Sequence, residues 1–175
     1  MVLTVMAIRR ALPGDAETIW GMHTKCIRTF CSSTYSSEEI EAWCDAISPE
    51  RYREALRGDV DFFVAHRGEE ILGICIFSLP EGELFALYVS PSSVGQGVGT
   101  ELLKYVEALG IRCSLPGLTV RSTVNAESFY IRQGFVRQRE ERHELPGGLS
   151  LRCIRMYKSF PGKRPEMLER KECRP

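Results

Sequence analysis

Residues 87–100 read Leu-Tyr-Val-Ser-Pro-Ser-Ser-Val-Gly-Gln-Gly-Val-Gly-Thr, an apolar run that passes through a glycine-rich loop into a helical pattern. The apolar residues that follow the loop recur at the spacing of one helix face; they are Val98, Leu102, Leu103, Val106 and Leu109. Glycines between a strand and a helix let backbone N–H groups converge on an anion, and the helix N-terminus adds partial positive charge. The segment therefore predicts a site for a pyrophosphate, with a plain flexible turn as the alternative.

Two common phosphate-binding motifs do not match this loop. A P-loop requires Gly-x-x-x-x-Gly-Lys-Ser/Thr, and no lysine stands at the required place. The dinucleotide fingerprint requires Gly-x-Gly-x-x-Gly, whereas here the third glycine, Gly99, comes one residue early. That fingerprint also belongs to the first strand–helix turn of a doubly wound sheet, and this loop follows the fourth predicted strand. A nucleotide-binding protein is therefore disfavoured.

Length and composition indicate one globular domain. The chain has 175 residues, of which 43% are hydrophobic and 26% are charged, and its formal net charge is zero. Balanced charge gives no electrostatic signal for nucleic acid or for an anionic membrane surface. No apolar run approaches the roughly 20 residues of a membrane span, and the first residues do not resemble a signal peptide. We expect a cytoplasmic protein with a single domain at 1–159 and a charged tail at 160–175.

The cysteines predict neither disulfides nor a metal site. The chain has seven cysteines, an odd number without any Cys-x-x-Cys pair, and several lie in apolar runs. Zinc sites require closely spaced Cys or His pairs, and the three histidines are scattered. Buried, reduced thiols and no metal are the expectation.

The order of predicted elements indicates a mixed α/β (α+β) fold. Strands are expected at 5–12, 61–66, 71–79, 83–89, 118–123, 135–143 and 149–158, and helices at about 16–31, 36–47, 49–57, 98–110 and 125–133. Ser36-x-x-Glu39 is a capping-box pattern that begins the second helix. Hairpins make the sheet of about seven strands mostly antiparallel, and the one βαβ crossover, from 83–89 to 118–123, makes that pair parallel.

Three segments in this order resemble the GNAT superfamily of acyl-CoA-dependent N-acyltransferases. The family's core motif is a strand, then Gln/Arg-x-x-Gly-x-Gly/Ala, then a helix. Residues 94–99, Val-Gly-Gln-Gly-Val-Gly, match it except that Val94 replaces the Gln or Arg often used on the phosphates. Residues 125–135, Asn-Ala-Glu-Ser-Phe-Tyr-Ile-Arg-Gln-Gly-Phe, match a second motif, and residues 8–15 match the family's first strand and helix. The resemblance covers about residues 5–158, and residues 35–43 are similar to a bacterial subgroup.

The resemblance implies a GNAT-like sheet flanked by helices, with acetyl-CoA as the cosubstrate and no metal. It also implies which positions bind that cosubstrate, on the fourth strand, the glycine loop and the second motif: Leu87, Tyr88, Val89, Gly95, Gln96, Gly97, Val98, Gly99, Thr100, Asn125, Ser128 and Tyr130. A helix N-cap is the structural alternative for Asn125.

The implied reaction is direct attack of a primary amine on the thioester within a ternary complex. The resemblance implies a bulge at 87–89 whose backbone donors stabilise the carbonyl oxygen. It implies that Tyr130 protonates the leaving thiolate, and that Glu83 takes the amine proton. A lysine-type amine, with a pKa near 10.4, needs a base or a water relay at neutral pH. The structural alternatives are a core aromatic for Tyr130 and a solvated charge for Glu83.

The acceptor side is expected between the first two helices, where Phe30, Tyr35 and Trp43 would line an aromatic pocket. Plain packing against the sheet is the alternative for these side chains. An exposed sheet edge would allow a homodimer. The second functional hypothesis is a non-catalytic acyl-CoA-binding or regulatory module on the same fold; the change at Val94 favours it, whereas Tyr130 favours an enzyme.

Overall fold

The computed structural model of this protein describes residues 5–161 and contains one sheet of seven strands. The strands are β1 (Ala7–Arg10), β2 (Asp61–Arg67), β3 (Glu70–Ser78), β4 (Glu83–Val89), β5 (Gly117–Thr123), β6 (Val136–Glu144) and β7 (Ser150–Ser159). Their order across the sheet is β1-β2-β3-β4-β5-β7-β6. Only β4 and β5 are parallel, and all other neighbours are antiparallel. The predicted fold class is therefore confirmed.

Five α-helices connect the strands: α1 (Ala16–Cys26), α2 (Ser37–Asp45), α3 (Pro49–Ala55), α4 (Val98–Arg112) and α5 (Glu127–Arg132). The predicted extent of the first helix, to about residue 31, is confirmed, but α1 ends at Cys26 and the last turn, Ile27–Cys31, is π-helical. π-Helical turns are frequent at functional sites. This one brings the chain out of α1 beside the end of β4, where the Cys26 thiol donates to the Val89 carbonyl at 3.1 Å.

Helices cover both faces of the sheet. The face toward α4 and α5 packs a large core that includes Leu84, Leu102, Leu118, Tyr130, Ile154 and Met156. The opposite face packs against α1 and α3 on one side and against α2 on the other. We call this second face the acceptor face, because it is the one on which an acceptor pocket was expected.

The N-terminus of α2 shows the predicted capping box. The Ser36 hydroxyl accepts a hydrogen bond from the Glu39 amide at 3.2 Å, and the Glu39 carboxylate accepts one from the Ser36 amide at 2.8 Å. Two of the amides that a helix start leaves without partners are satisfied in this way.

Ser36→Ala is expected to lower the free energy of unfolding by about 1 kcal/mol, because the Glu39 amide loses its acceptor. Urea denaturation followed by circular dichroism measures this change. Ser37→Ala, at the exposed first residue of α2, is the matched control, and its effect should stay within about 0.5 kcal/mol. Equal stability of the two variants would contradict a stabilising role for the cap.

The folded domain includes Phe160, one residue beyond the expected boundary at 159. Its ring is buried beside Gly110, and its amide donates to the Pro116 carbonyl at 2.8 Å. Most of the expected tail, residues 162–175, lies outside the described residues.

Candidate active site

A gap opens between the two parallel strands. β4 and β5 are paired only at Glu83 with Thr119 and at Leu84 with Val120. Beyond that point β4 continues along β3 as far as Val89, and β5 continues along β7 to its end. The edge of β4 that faces β5 therefore has no strand partner from residue 85 onward. An unpaired edge of this kind offers backbone donors to a ligand in the gap.

The irregularity of β4 lies at Phe85, not at 87–89 as the resemblance implied. Ala86 opposes Ile76, and Leu84 opposes Phe77, so Phe85 is the additional residue. A bulge reverses the alternation of the side chains that follow it. Leu84, Leu87 and Val89 consequently all pack toward α4, while Tyr88 packs on the acceptor face. Strict alternation would place Glu83 on one face with Leu87 and Val89, and the bulge places it on the opposite face.

The glycine loop lies at the open end of the gap. Gly95 and Gly97 have φ of +82° and +81°, a conformation that L side chains rarely adopt, and Gly97 caps α4. No acceptor within residues 5–161 takes a hydrogen bond from the amides of the loop glycines or of the first turn of α4: Gly95, Gly97, Val98, Gly99 and Thr100. Nothing lies within 4 Å of where a Cβ of Gly97 would stand. These five amides therefore have no partner within residues 5–161, and Gly95 and Gly97 are exposed.

The other loop residues divide between support and packing. The side-chain Nε2 of Gln96 donates to the Ser92 carbonyl at 3.0 Å, and the Thr100 hydroxyl accepts a hydrogen bond from the Gln133 side chain at 3.2 Å. Val98 is buried under the sheet. A Cβ at Gly99 would stand 3.3 Å from the Val89 side chain, so the packing of α4 on β4 leaves little room for a side chain there.

Tyr130 lies on α5, on the α4 side of the sheet. It is 4% exposed, and its ring packs edge-on against Phe129 and Phe135. Its hydroxyl makes no hydrogen bond to any residue in the described part of the chain. Burial, and to a smaller extent the nearby Cys75 thiol, raises the pKa of Tyr130 above its ordinary value. The phenol is therefore protonated at neutral pH, and its O–H is available to donate a hydrogen bond or a proton.

Glu83 lies at the closed end of the gap. Its carboxylate accepts a hydrogen bond from Arg121 Nε at 3.0 Å, and its side chain is 15% exposed. The interpretation of Glu83 as a solvated charge does not describe this half-buried ion pair. The carboxylate stands on the acceptor face, near the point at which β4 and β5 separate.

Comparisons with known proteins agree with this architecture. Residues 31–151 match the model of a family described as an acetyltransferase (GNAT) domain. That match spans more than half of the chain. The chain belongs to the GNAT acetyltransferase family.

Individual relatives and structures extend the likeness over most of this GNAT protein. It is 28% identical over 151 residues to YafP of Escherichia coli K12, described as an uncharacterized N-acetyltransferase, with 86% of this chain and 95% of that protein covered. The crystal structure of a GCN5-related N-acetyltransferase from Rhodopseudomonas palustris has a TM-score of 0.82 at 28% identity, over 91% and 99% of the two chains. PaiA N-acetyltransferase from Thermoplasma acidophilum, solved with coenzyme A, has a TM-score of 0.73 at 21% identity, over 89% and 99%.

The second GNAT motif contacts the π-helical turn through Asn125. Asn125 lies in a 3₁₀ turn before α5, and the Cys31 thiol donates to its side-chain oxygen at 3.8 Å. The N-cap alternative for Asn125 is wrong, because Ala126 occupies the N-cap of α5 and no side chain caps that helix. Both Asn125 and Ser128 are exposed and accessible to a ligand.

The three aromatic side chains expected around the acceptor have different surroundings. The Tyr35 hydroxyl donates to the Arg152 carbonyl at 2.6 Å and accepts from the Val124 amide at 3.1 Å. That buried phenol is a structural bridge, so packing describes it better than substrate contact. Trp43 packs edge-on against Tyr35 and is partly buried, whereas Phe30 is exposed on the π-helical turn.

His23 lies on α1 over the ring of Tyr88, with the two centroids 3.9 Å apart. Its Nδ1 shares a hydrogen bond with the Tyr52 hydroxyl, and its buried Nε2 has no partner within residues 5–161. Burial lowers the pKa of His23 to about 3, so the ring is neutral at pH 7. The only sequence signal was a polar residue among the apolar positions of α1.

Two kinds of feature are absent from residues 5–161. No helix there has the length and apolar character that crossing a membrane requires. No group of three or more His, Cys, Asp or Glu side chains in the same residues is arranged to hold a metal ion. The thiols of Cys26, Cys31, Cys44, Cys75 and Cys153 form no disulfide.

Proposed function

We propose that this GNAT protein transfers an acetyl group from acetyl-CoA to a primary amine, by direct attack within a ternary complex. The observation that carries the proposal is the gap between β4 and β5, which opens beside a glycine loop with five unbonded amides. The pyrophosphate of acetyl-CoA binds these amides at the N-terminus of α4. PaiA and a Salmonella typhimurium structure of YncA, solved with coenzyme A and acetyl-CoA respectively, support this choice of cosubstrate.

The proposed chemistry uses the gap from both sides. The acetyl carbonyl oxygen receives backbone N–H groups from the unpaired edge of β4, which include donors of 87–89, and one such donor contributes roughly 3–4 kcal/mol to a developing oxyanion. The amine attacks from the acceptor face, where its nitrogen forms a bond to the carbonyl carbon. The bond between that carbon and sulfur then breaks.

The step includes two proton transfers. Glu83, directly or through water, takes the proton that the amine loses. Tyr130 gives a proton to the CoA thiolate. Desolvation raises the pKa of a thiol as well as that of a phenol, so the dry site that makes Tyr130 a weaker acid also makes the thiolate a stronger base.

Acetyl-CoA binding is tested with Gly97→Val. The added side chain fills the open space over the loop amides, and the expected result is an affinity at least tenfold lower, or about 1.4 kcal/mol. Isothermal calorimetry with acetyl-CoA measures it. Gly147→Val is the matched control, because Gly147 has a φ of +86° and open space around its Cβ position in the β6–β7 turn. Both variants carry the same backbone strain, and only the first should lose affinity.

Unchanged affinity in a folded Gly97→Val protein would overturn the proposed phosphate site. Transfer itself is tested by incubating the protein with acetyl-CoA and a panel of primary amines, with free thiol and acetylated amine both quantified. Tight acetyl-CoA binding without any transfer would favour the alternative, a non-catalytic acyl-CoA-binding module.

A further inference from the structure

Three arginines lie side by side across three neighbouring strands. Arg121 of β5 is directly opposite Arg155 of β7, and Arg155 is directly opposite Arg139 of β6. Side chains of directly opposed residues project from the same face of a sheet, and like charges in such pairs destabilise it. We call these three residues the arginine row. A counter-charge would stabilise a row of this kind.

The arginine row is on the acceptor face. The neighbours Val120 of β5 and Ile154 of β7 point into the core beneath α4. Because side chains alternate along a strand, Arg121 and Arg155 point the opposite way. Glu83 stands on the same face and is paired with Arg121. The row therefore begins beside Glu83, the residue that takes the amine proton in the proposed reaction.

The described residues do not neutralise the row. Arg121 pairs with Glu83 at 3.0 Å, and Arg139 pairs with Glu141 at 2.5 Å. Arg155 reaches only the second oxygen of Glu141, at 3.9 Å. Two carboxylates thus face three guanidinium groups, which leaves one positive charge without a carboxylate of its own among residues 5–161.

Arg155 is the group with unused donors. Its side chain is 28% exposed, and it donates no hydrogen bond within the part of the chain that the structure describes. Arg121 donates there only through Nε, so its two Nη groups are also free. A guanidinium carries five N–H donors in a planar fork, which matches two oxygens of a carboxylate or phosphate. These donors have no partner among residues 5–161 and are available to such a ligand.

The row also begins at the closed end of the gap. Arg121 is the first residue of β5 after its last pair with β4, at Val120. Paired strands are about 4.8 Å apart and β4 and β5 separate beyond that pair, so Arg121 lies at least about one strand spacing from β4 and Arg155 at least about two. An anionic group held there is close enough for an amine of the same small molecule to reach the edge of β4.

We propose that the acceptor is a small amine that also carries a carboxylate or phosphate group, bound by Arg155 together with Arg121. This inference rests on the proposed acetyl transfer and adds the substrate class to it. The oxyanion supplies the negative charge that the arginine row lacks, and it holds the amine beside Glu83.

Matched acceptor pairs test the substrate class. The carboxylate arm compares glycine, β-alanine, γ-aminobutyrate and lysine with their amides, and the phosphate arm compares O-phosphoethanolamine with ethanolamine. For at least one pair, kcat/KM should be tenfold or more higher for the acid. The arm with the higher kcat/KM identifies the oxyanion as a carboxylate or a phosphate. The chain length with the highest kcat/KM gives the distance between that group and the amine.

Arg155→Gln should raise the KM for the preferred acid by about 10–100-fold with little change in kcat, since charged hydrogen bonds are lost. It should also raise the stability of the ligand-free protein in urea, because it removes the repulsion within the row. Arg152→Gln is the matched control, since Arg152 is on the same strand and its side chain points to the other face. That variant should change neither property.

The outcomes separate this inference from the proposed function. Acetylation of the neutral amines as fast as the acids would overturn the substrate class and leave the transfer reaction intact. If no amine is acetylated, the transfer reaction fails, and calorimetry with N-acetylglycine and inorganic phosphate still shows whether the row binds an oxyanion. Equal affinity of these probes for the wild-type and Arg155→Gln proteins would overturn the anion site.

Discussion

Tyr130→Phe is expected to slow the chemical step by roughly 10–1000-fold, because general acid catalysis contributes about 100–10,000-fold and water partly substitutes for the phenol. The substitution keeps the ring and its packing against Phe129 and Phe135. It removes a hydroxyl that bonds to no residue within 5–161, so the stability of the protein should change little. Single-turnover measurements of acetyl transfer give the rate.

The dependence on the leaving group is the sharper test of Tyr130. An acyl thioester with a more acidic thiol needs less protonation, so the defect of Tyr130→Phe should shrink for such a substrate. Equal slowing for CoA and for the acidic thiol would mean that Tyr130 positions the thioester and does not act as an acid. Tyr105→Phe, on α4 against Phe63, is the control tyrosine and should retain the wild-type rate.

Glu83→Gln is expected to lower turnover by roughly 100-fold or more near neutral pH, within the range for loss of a general base. The amide oxygen still accepts from Arg121, so the ion pair is replaced by a hydrogen bond and acetyl-CoA affinity should barely change. Steady-state kinetics from pH 6 to 9, with acetyl-CoA calorimetry beside them, measure both properties. Glu81→Gln, in the exposed turn before β4, is the matched control.

The pattern of the Glu83 defect distinguishes a base from a positioning group. Loss of a base lowers kcat, and the defect should shrink for acceptors whose amines have a low pKa. A residue that only holds Arg121 in place would instead raise the KM of the acceptor with kcat preserved. Unchanged turnover across pH 6–9 would exclude Glu83 as the base and assign the proton transfer to water or another residue.

The caps, the glycine loop and the order of strands and helices were all predictable from the sequence, because each depends on short-range patterns. Ser36 and Glu39 are three residues apart and cap α2 as their spacing predicts. β4 begins and ends at Glu83 and Val89, as its apolar run and flanking turns indicate. β1 is shorter than the expected 5–12, and the last turn of the first helix differs in type, because its transition to a π-helical turn at Ile27 leaves no mark in the spacing of apolar residues.

Membership of the GNAT family was also predictable, because its motifs are local strings of residues. The match over residues 31–151 confirms it. The catalytic roles of Tyr130 and Glu83 rest on the resemblance and stay predictions. The structure places the buried Tyr130 phenol on the α4 side of the sheet and the Glu83 carboxylate on the acceptor face.

The tertiary structure alone decided which residues meet across the sheet. The bulge at Phe85 changes the face of every later residue in β4, and it is visible only in the register with β3. The Tyr35 hydroxyl donates to the carbonyl of Arg152, which is 117 residues away in the chain. The arginine row likewise joins residues of three strands whose alignment follows from hydrogen-bond ladders. Short-range patterns determine elements, whereas register and burial arise from contacts between distant segments, and these contacts build the acceptor face.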